Sequence, residues 1–105
     1  MKSKTVTELK EMLDNKEEFQ LIDVREEHEF ETCNLNGLLI PMGEIADNVD
    51  KVSKDKPVVV HCRSGKRSAN VIHYLETNFG FNNLYNLEGG ILAWADQIDP
   101  SMPKY

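Results

Sequence analysis

The stretch that decides the fold of this chain is Val58-Val59-Val60-His61-Cys62-Arg63-Ser64-Gly65-Lys66-Arg67-Ser68. Its three β-branched apolar residues in succession predict a buried strand, and a short polar loop with one glycine follows them. A helix is predicted next, because four residues recur on one helical face: Ser68, Ile72, Leu75 and Phe79. Gly80 supplies a left-handed C-cap for that helix. In a strand, tight loop and helix of this kind, main-chain N–H groups converge on whatever lies at the mouth of the loop.

The loop begins with a cysteine in a positively charged setting. The chain carries a formal net charge of −6, yet three cations lie within five residues of Cys62 with no acid among them: Arg63, Lys66 and Arg67. Cations and a helix N-terminus both favour the thiolate and lower the pKa of a cysteine. We therefore favour a nucleophilic Cys62 in an anion-binding loop over an inert core cysteine, which prefers apolar neighbours. A sulfur packed away from solvent, or one that titrates like a free thiol, would contradict this interpretation.

Four motifs make the chain resemble the rhodanese-like sulfurtransferases over nearly its whole length: Leu21–Glu26, Gly37 with Ile40-Pro41, Cys62–Arg67 and Leu87–Trp94. The alternation of strand and helix patterns itself favours an α/β domain with a mostly parallel sheet. The resemblance implies the same fold, a small, mostly parallel five-stranded sheet with helices on both faces. It also implies that Cys62 takes a sulfur atom from a donor, carries it as a persulfide and passes it to a nucleophile.

The residues around Cys62 have expected roles in such a transfer. The donor is expected to be a small sulfur-bearing anion such as thiosulfate, or a protein persulfide. The acceptor is expected to be cyanide, a thiol or a sulfur-acceptor protein. The substrate-binding residues are expected in the loop: Arg63, Ser64, Gly65, Lys66 and Arg67. Gly65 would let the loop fold around the sulfur without a Cβ in the way, and Arg67 would pin the loop to the body of the domain.

Asp23 and Arg25 follow a second predicted strand, at the edge where the carboxyl ends of parallel strands meet. They could reach the site, but we favour a supporting ion pair that ties the following loop to the scaffold, because buried acids and arginines are usually paired. The charge run Arg25–Glu29 is interpreted as a solvated face. His61 is expected to be packed or bonded to a backbone carbonyl.

The rest of the pattern predicts further elements. The strands are an edge strand Lys4–Val6, a strand Phe19–Val24, a strand within Leu35–Ile40 and a strand Asn83–Leu87. The helices are one capped by Thr5 or Thr7 and running through Asp14, a short acidic helix Glu26–Thr32 anchored by Phe30, a helix near Glu44–Val49 and a closing helix with Ile91, Trp94 and Ile98. Trp94 is assigned to the core and Gly89-Gly90 to a tight turn.

At 105 residues the chain is expected to form one domain, residues 1–105. Its net negative charge argues against nucleic acid as a partner, and its apolar runs are too short to span a membrane. No secretory signal is expected and two cysteines make no disulfide framework, so a reducing, cytoplasmic location is predicted. Cys33 is interpreted as a small core residue rather than a resolving thiol. The three histidines show no metal-ligand spacing, and neither a metal nor a cofactor is predicted.

Two other functions are weighed against sulfur transfer. A cysteine phosphatase or arsenate reductase has cysteine, five residues and arginine, which would place the arginine at Ser68 instead of Arg67. A non-catalytic docking module is disfavoured because Cys62 and the basic loop are present. The run Trp94–Tyr105 resembles the tail of the rhodanese domains that close adenylyltransferase–sulfurtransferases, and this resemblance implies a ubiquitin-like sulfur-acceptor protein.

Overall fold

The computed structural model describes all residues of the chain, 1–105. Its five strands are β1 (Ser3–Lys4), β2 (Gln20–Asp23), β3 (Leu38–Leu39), β4 (Val58–His61) and β5 (Leu84–Leu87). Its four α-helices are α1 (Val6–Asp14), α2 (Glu27–Thr32), α3 (Lys66–Phe79) and α4 (Gly90–Gln97). Two 3₁₀-helices, Met42–Asp47 and Val49–Lys51, lie between β3 and β4. The longest helix, α3, has 14 residues, and no helix of the chain could cross a membrane.

The five strands form one sheet in the order β1-β5-β4-β2-β3, and every neighbouring pair is parallel. This confirms the predicted α/β fold with a small five-stranded sheet. β4 lies in the centre and all four of its residues are buried, which fits its run of three valines. Asp23 of β2 is in register with His61 of β4. The carboxyl ends of these strands therefore lie side by side, at the edge where ligands bind in open parallel sheets.

Helices cover both faces of the sheet, and successive residues of β4 point to opposite faces. Val58 and Val60 belong, with Ile72 of α3, to the larger core cluster. Val59 belongs to a second cluster built from α1, β5 and α4: Val6, Leu9, Met12, Leu87 and Trp94. The assignment of Trp94 to the core is confirmed.

The boundary between the first strand and the first helix differs from the predicted one. The edge strand Lys4–Val6 is wrong, because β1 ends at Lys4 and α1 begins at Val6. Thr5 is the N-cap: its hydroxyl accepts a hydrogen bond from the N–H of Glu8 at 3.1 Å, and the Glu8 carboxylate accepts one from the N–H of Thr5 at 2.8 Å. This capping box fixes where the helix starts.

Three further predictions differ from the structure. The helix near Glu44–Val49 is replaced by the two 3₁₀-helices. Phe79, predicted on the buried face of α3, is 41% exposed, because α3 ends there and the ring packs edge-on against Tyr74. Phe30, expected to anchor α2, is only half-buried, and Glu29 is the buried residue of that helix.

A matched pair of leucine substitutions tests the assignment of the core. Leu75 of α3 is 1% exposed, whereas Leu13 of α1 is 40% exposed. We expect Leu75→Ala to lower the free energy of unfolding by about 2–5 kcal/mol, because it leaves a cavity. Leu13→Ala should lower it by about 1 kcal/mol or less, since that side chain already contacts water in the folded state. Urea denaturation measures both, and equal losses would contradict the assignment.

Candidate active site

The sulfur of Cys62 accepts hydrogen bonds from the main chain of its own loop. Cys62 directly follows β4, and Gly65 is the N-cap of α3. The N–H groups of Gly65 and Ser68 donate to the Cys62 Sγ at 3.1 and 3.4 Å. The Ser68 hydroxyl lies 3.4 Å from the same sulfur. The predicted convergence of N–H groups on the thiol is therefore present.

Gly65 is required by its backbone conformation rather than by space. A Cβ at Gly65 would find its nearest neighbour, the carbonyl oxygen of Leu87, at 3.5 Å, which is an ordinary contact. Its φ of +106°, however, is a conformation that residues with a side chain rarely adopt. Glycine lets the loop turn around the sulfur for this reason, and the expectation that a Cβ would stand in the way is wrong.

The N-terminus of α4 holds the other side of the loop. The N–H of Ile91 donates to the carbonyl of Cys62 at 3.0 Å. The N–H of Leu92 donates to the carbonyl of Arg63 at 3.1 Å. In a planar trans peptide the N–H points away from the preceding carbonyl. The N–H of Ser64 therefore faces away from α4, and this N–H is one of the groups that lower the pKa of the Cys62 thiol.

Gly90 permits this close approach between α4 and the loop. It has a φ of +60°, and a Cβ there would overlap the carbonyl oxygen of Arg63 and lie 2.7 Å from that of Cys62. The sequence predicts only a tight turn at Gly89-Gly90. The structure adds that the missing side chain lets a helix N-terminus reach the backbone of the loop.

Asn86 supports the loop from β5 and was not among the predicted site residues. Its side-chain amide donates to the carbonyl of Gly65 at 3.1 Å, and its side-chain oxygen accepts from the Ser68 hydroxyl at 2.5 Å. The only signal in the sequence is the residue type itself, since asparagine is uncommon within strands.

The pKa of the Cys62 thiol lies below its usual range. Burial raises this pKa, because it disfavours the charged thiolate. The hydroxyl and the N–H of Ser68 and the N–H groups of Gly65 and Ser64 lower it by more. The direction agrees with the prediction, but the main cause is hydrogen bonding within the loop and not the flanking cations.

Cys62 is nevertheless buried, with 1% of its surface exposed. This burial meets one of the two conditions set against a nucleophilic Cys62, a sulfur packed away from solvent, because the loop folds over its own sulfur. The other condition, titration like a free thiol, is not met, since the pKa of Cys62 is lowered. Two surface cavities, of about 560 and 270 Å³, are lined by other parts of the chain. The site is therefore a closed cradle around one sulfur atom, and Arg63, Ser64 and Lys66 are exposed around it.

Asp23 and Arg25 form a buried ion pair. The Arg25 Nη2 lies 2.7 Å from the Asp23 Oδ2, and both side chains are fully buried. Arg25 also donates to the main-chain carbonyls of Cys33 and Glu29, at 2.7 and 3.3 Å. These contacts agree with the preferred interpretation, a pair that ties the following segment to the scaffold. Neither side chain hydrogen-bonds to Cys62.

Glu29 of α2 forms a bidentate ion pair with Arg67 at the start of α3. The two N–O distances are 2.7 and 2.9 Å, and the hydrogen bonds from Arg67 lower the pKa of Glu29 to about 2. The pair joins the loop to α2, as expected for Arg67. The interpretation of Arg25–Glu29 as a solvated face is wrong at both ends, because Arg25 and Glu29 are buried with oppositely charged partners.

Tyr105 connects these two ion pairs. Its hydroxyl accepts a hydrogen bond from Arg25 Nη1 at 2.8 Å and donates one to Glu29 Oε2 at 2.8 Å. The Arg63 guanidinium lies 5.0 Å from the centre of its ring. The sequence does not predict the hydrogen bond between Tyr105 and Arg25, because the two residues are 80 positions apart.

His61 and Cys33 are buried outside the cradle. Neither ring nitrogen of His61 has a hydrogen-bond partner, so the residue is packed and not bonded to a carbonyl. Burial lowers the pKa of His61, although Asp23 lies 3.7 Å away, and the ring is therefore neutral at neutral pH. The Cys33 Sγ lies 3.7 Å from the carbonyl of Pro103. No group of His, Cys, Asp and Glu side chains comes together as a metal site.

These features define an α/β domain with a cysteine cradled at the carboxyl end of its central parallel strand. A family model described as the rhodanese-like domain matches residues 5–97. The chain belongs to the rhodanese-like domain family.

Similar proteins include several that are named as sulfurtransferases. The putative sulfurtransferase YtwF of Bacillus subtilis is 43% identical over 93 residues, which cover 88% of each chain. The probable adenylyltransferase/sulfurtransferase MoeZ of Mycobacterium tuberculosis is 36% identical over 109 residues, which cover 99% of this chain but only 28% of that protein. The crystal structure of a rhodanese-like domain protein from Staphylococcus aureus matches with a TM-score of 0.82 and 39% identity, over 93% of this chain and 95% of that chain. These relatives support a rhodanese-type transferase.

The Glu29–Arg67 pair predicts a pH-dependent contribution to stability. Folding lowers the pKa of Glu29 from 4.5 to about 2, so its carboxylate stabilises the folded state above pH 4.5 and this contribution is lost as the pH falls towards 2. Glu29→Gln should therefore unfold more easily than wild type near neutral pH, and the difference should shrink as the pH falls through that window. Urea denaturation across pH measures it, with the exposed Glu31→Gln of the same helix as control. A constant difference would contradict the assignment.

Proposed function

We propose that this chain is a sulfurtransferase that moves a sulfane sulfur through a persulfide on Cys62. The donor is thiosulfate or a protein persulfide, and the acceptor is cyanide or a thiol. The observation that carries the proposal is the set of hydrogen bonds from the N–H groups of Gly65 and Ser68 to the Cys62 Sγ. Such a cradle stabilises negative charge on sulfur, as an oxyanion hole stabilises it on oxygen.

In the first step the Cys62 thiolate attacks the outer sulfur of thiosulfate. A new S–S bond forms to Cys62, the S–S bond of the donor breaks, and sulfite leaves with the electron pair. The exposed cations Arg63 and Lys66 favour the approach of this dianion. The product is a cysteine persulfide whose terminal sulfur is anionic.

In the second step an acceptor takes the terminal sulfur. The carbon of cyanide, or a thiolate sulfur, attacks the outer sulfur of the persulfide, and the electron pair of the S–S bond returns to Cys62. The products are thiocyanate, or a new persulfide, and the original thiolate. Two half-reactions linked by a covalent intermediate give ping-pong kinetics.

The burial of Cys62 sets a requirement on this cycle. Cys62 as a residue is only 1% exposed, so the proposed reaction requires the loop to open before thiosulfate can reach its sulfur. The opening is local, because Arg63, Ser64 and Lys66 are already exposed. The side of the loop that α4 holds through main-chain hydrogen bonds stays in place.

A phosphatase is less well supported than a sulfurtransferase. Phosphate transfer would use an arginine of the loop on the phosphoryl oxygens, but the two terminal nitrogens of Arg67, Nη1 and Nη2, are bound by Glu29. The position that such an arginine would occupy is Ser68, whose hydroxyl lies against the sulfur. The cradle therefore fits one sulfur atom better than a tetrahedral oxyanion.

A docking module without chemistry is the alternative from a different class. The lowered pKa of Cys62 favours catalysis, since docking does not require a reactive thiol. The resemblance of the tail Trp94–Tyr105 to the rhodanese domains of adenylyltransferase–sulfurtransferases supports a sulfur-acceptor protein as a further acceptor. We also propose that the reaction takes place in a reducing, cytoplasmic setting and that residues 1–105 act as one domain. In this proposal the reaction uses no metal or cofactor, and the domain binds neither nucleic acid nor a membrane.

Mass spectrometry after mixing with thiosulfate tests the proposal. Wild type should gain one sulfur atom on Cys62 and lose it again when cyanide is added, with thiocyanate as the product. Cys62→Ser should gain none, because the attacking sulfur is absent. The loss of turnover in Cys62→Ser should exceed about a thousandfold, as is usual when a covalent nucleophile is removed.

Cys33→Ser is the matched control for this experiment. It should retain both the sulfur gain and the turnover, since Cys33 is assigned to the core. An equal sulfur gain in Cys62→Ser, or no gain in wild type, would remove the proposal. Binding of a partner protein without any sulfur gain would favour the docking module, and hydrolysis of an aryl phosphate that is lost in Cys62→Ser would favour the phosphatase.

A further inference from the structure

We propose that Tyr105 is a positioning residue for sulfur transfer, whose ring holds the guanidinium of Arg63 beside the Cys62 loop. The proposal rests on the proposed function, because it assumes that Arg63 meets an anionic sulfur donor. The proposal goes beyond the proposed function by assigning a role to a residue of the C-terminal segment. That role is to fix where the positive charge of the loop lies before the donor arrives.

The ring of Tyr105 is the contact that restrains the Arg63 side chain. The guanidinium carbon lies 5.0 Å from the ring centre, within the range of a cation–π interaction. Arg63 takes part in none of the ion pairs of the chain. The carbonyl of Arg63 is held by a hydrogen bond from α4, so the backbone of this residue is fixed. The contact with the ring then sets the position of the guanidinium.

The position of the ring is itself fixed by two hydrogen bonds. The Tyr105 hydroxyl accepts from Arg25 and donates to Glu29, each at 2.8 Å. Both partners are buried and belong to ion pairs. Glu29 also binds Arg67. Tyr105 is therefore linked to Arg63 through its ring and to Arg67 through Glu29.

The path of the C-terminal segment brings Tyr105 to this place. Met102 packs against the second core cluster, and its N–H donates to the carbonyl of Asp99 at 3.0 Å. The carbonyl of Pro103 lies 3.7 Å from the Cys33 Sγ, beside α2. The segment is thus attached to the scaffold on the way to the site, and it reaches Arg25 and Glu29, of which Glu29 holds the loop through Arg67.

A pair of alkylating reagents measures the charge near Cys62 without any turnover. In a Cys33→Ser background Cys62 is the single thiol. Iodoacetate is an anion and iodoacetamide is neutral, so the ratio of their rates at Cys62 reports the positive charge that an incoming anion meets. We expect Tyr105→Leu to lower this ratio about two- to fivefold, the size expected when an exposed cation–π contact is lost.

Four variants identify the cause of that change. Tyr105→Phe keeps the ring but loses the two hydrogen bonds that fix its position, so its ratio should lie between those of wild type and Tyr105→Leu. Arg63→Gln should lower the ratio, and adding Tyr105→Leu to it should have no further effect. Tyr85→Leu removes another tyrosine whose ring contacts lysines away from the loop, and it should leave the ratio unchanged. The same variants should raise the KM for thiosulfate in parallel with the fall in the ratio, with little change in kcat.

Each outcome decides the proposal. An unchanged ratio in Tyr105→Leu, an equal fall in Tyr85→Leu, or a further fall on top of Arg63→Gln would overturn it, as would a Cys62 that neither reagent modifies. If the ratio falls as expected but wild type does not turn over thiosulfate, the positioning of Arg63 by Tyr105 stands and the proposed function fails. A fall in the ratio with a parallel rise in KM supports both.

Discussion

Hydrogen bonds from main-chain N–H groups to the Cys62 sulfur are the contacts on which the rest of this site depends. They require the left-handed turn at Gly65 and the start of α3 at that turn, and the Ser68 hydroxyl adds a side-chain contact to the same sulfur. Together with the Ser68 hydroxyl, these N–H groups oppose the effect of burial on the pKa of Cys62 and outweigh it. A cysteine in the same place without them would be an ordinary buried thiol, since desolvation alone disfavours the thiolate.

The scaffold holds this loop from several sides with different interactions. α4 approaches at Gly90 and uses its N-terminal N–H groups as donors to the loop carbonyls. Asn86 of β5 supports the carbonyl of Gly65, and α2 binds Arg67 through the carboxylate of Glu29. Each contact joins elements that are distant in sequence, so the geometry of the cradle is a property of the folded sheet and its helices. The six-residue loop alone does not determine it.

Local patterns in the sequence predict the central part of this structure well. The valine run, the loop and the helix follow from β-propensity, turn chemistry and helical spacing, and they place Cys62 at the carboxyl end of the central strand. The supporting residues Asn86, Glu29 and Tyr105 could not be predicted, because their partners are far away along the chain and a single sequence carries no record of such pairs. Glu29 shows the limit most directly: an acid in a run of charged residues fits a solvated face, and only the fold places Arg67 beside it.

The most direct test of this account is the titration of the Cys62 thiol, followed as the rate of alkylation by iodoacetamide against pH in a Cys33→Ser background. The account predicts a midpoint below the usual range of a free thiol. It also predicts that Ser68→Ala raises the midpoint, because the hydroxyl that lies 3.4 Å from the sulfur and lowers the pKa of Cys62 is lost, and that Ser64→Ala in the same loop does not. A midpoint at the value of a free thiol, or the same shift in both serine variants, would contradict it.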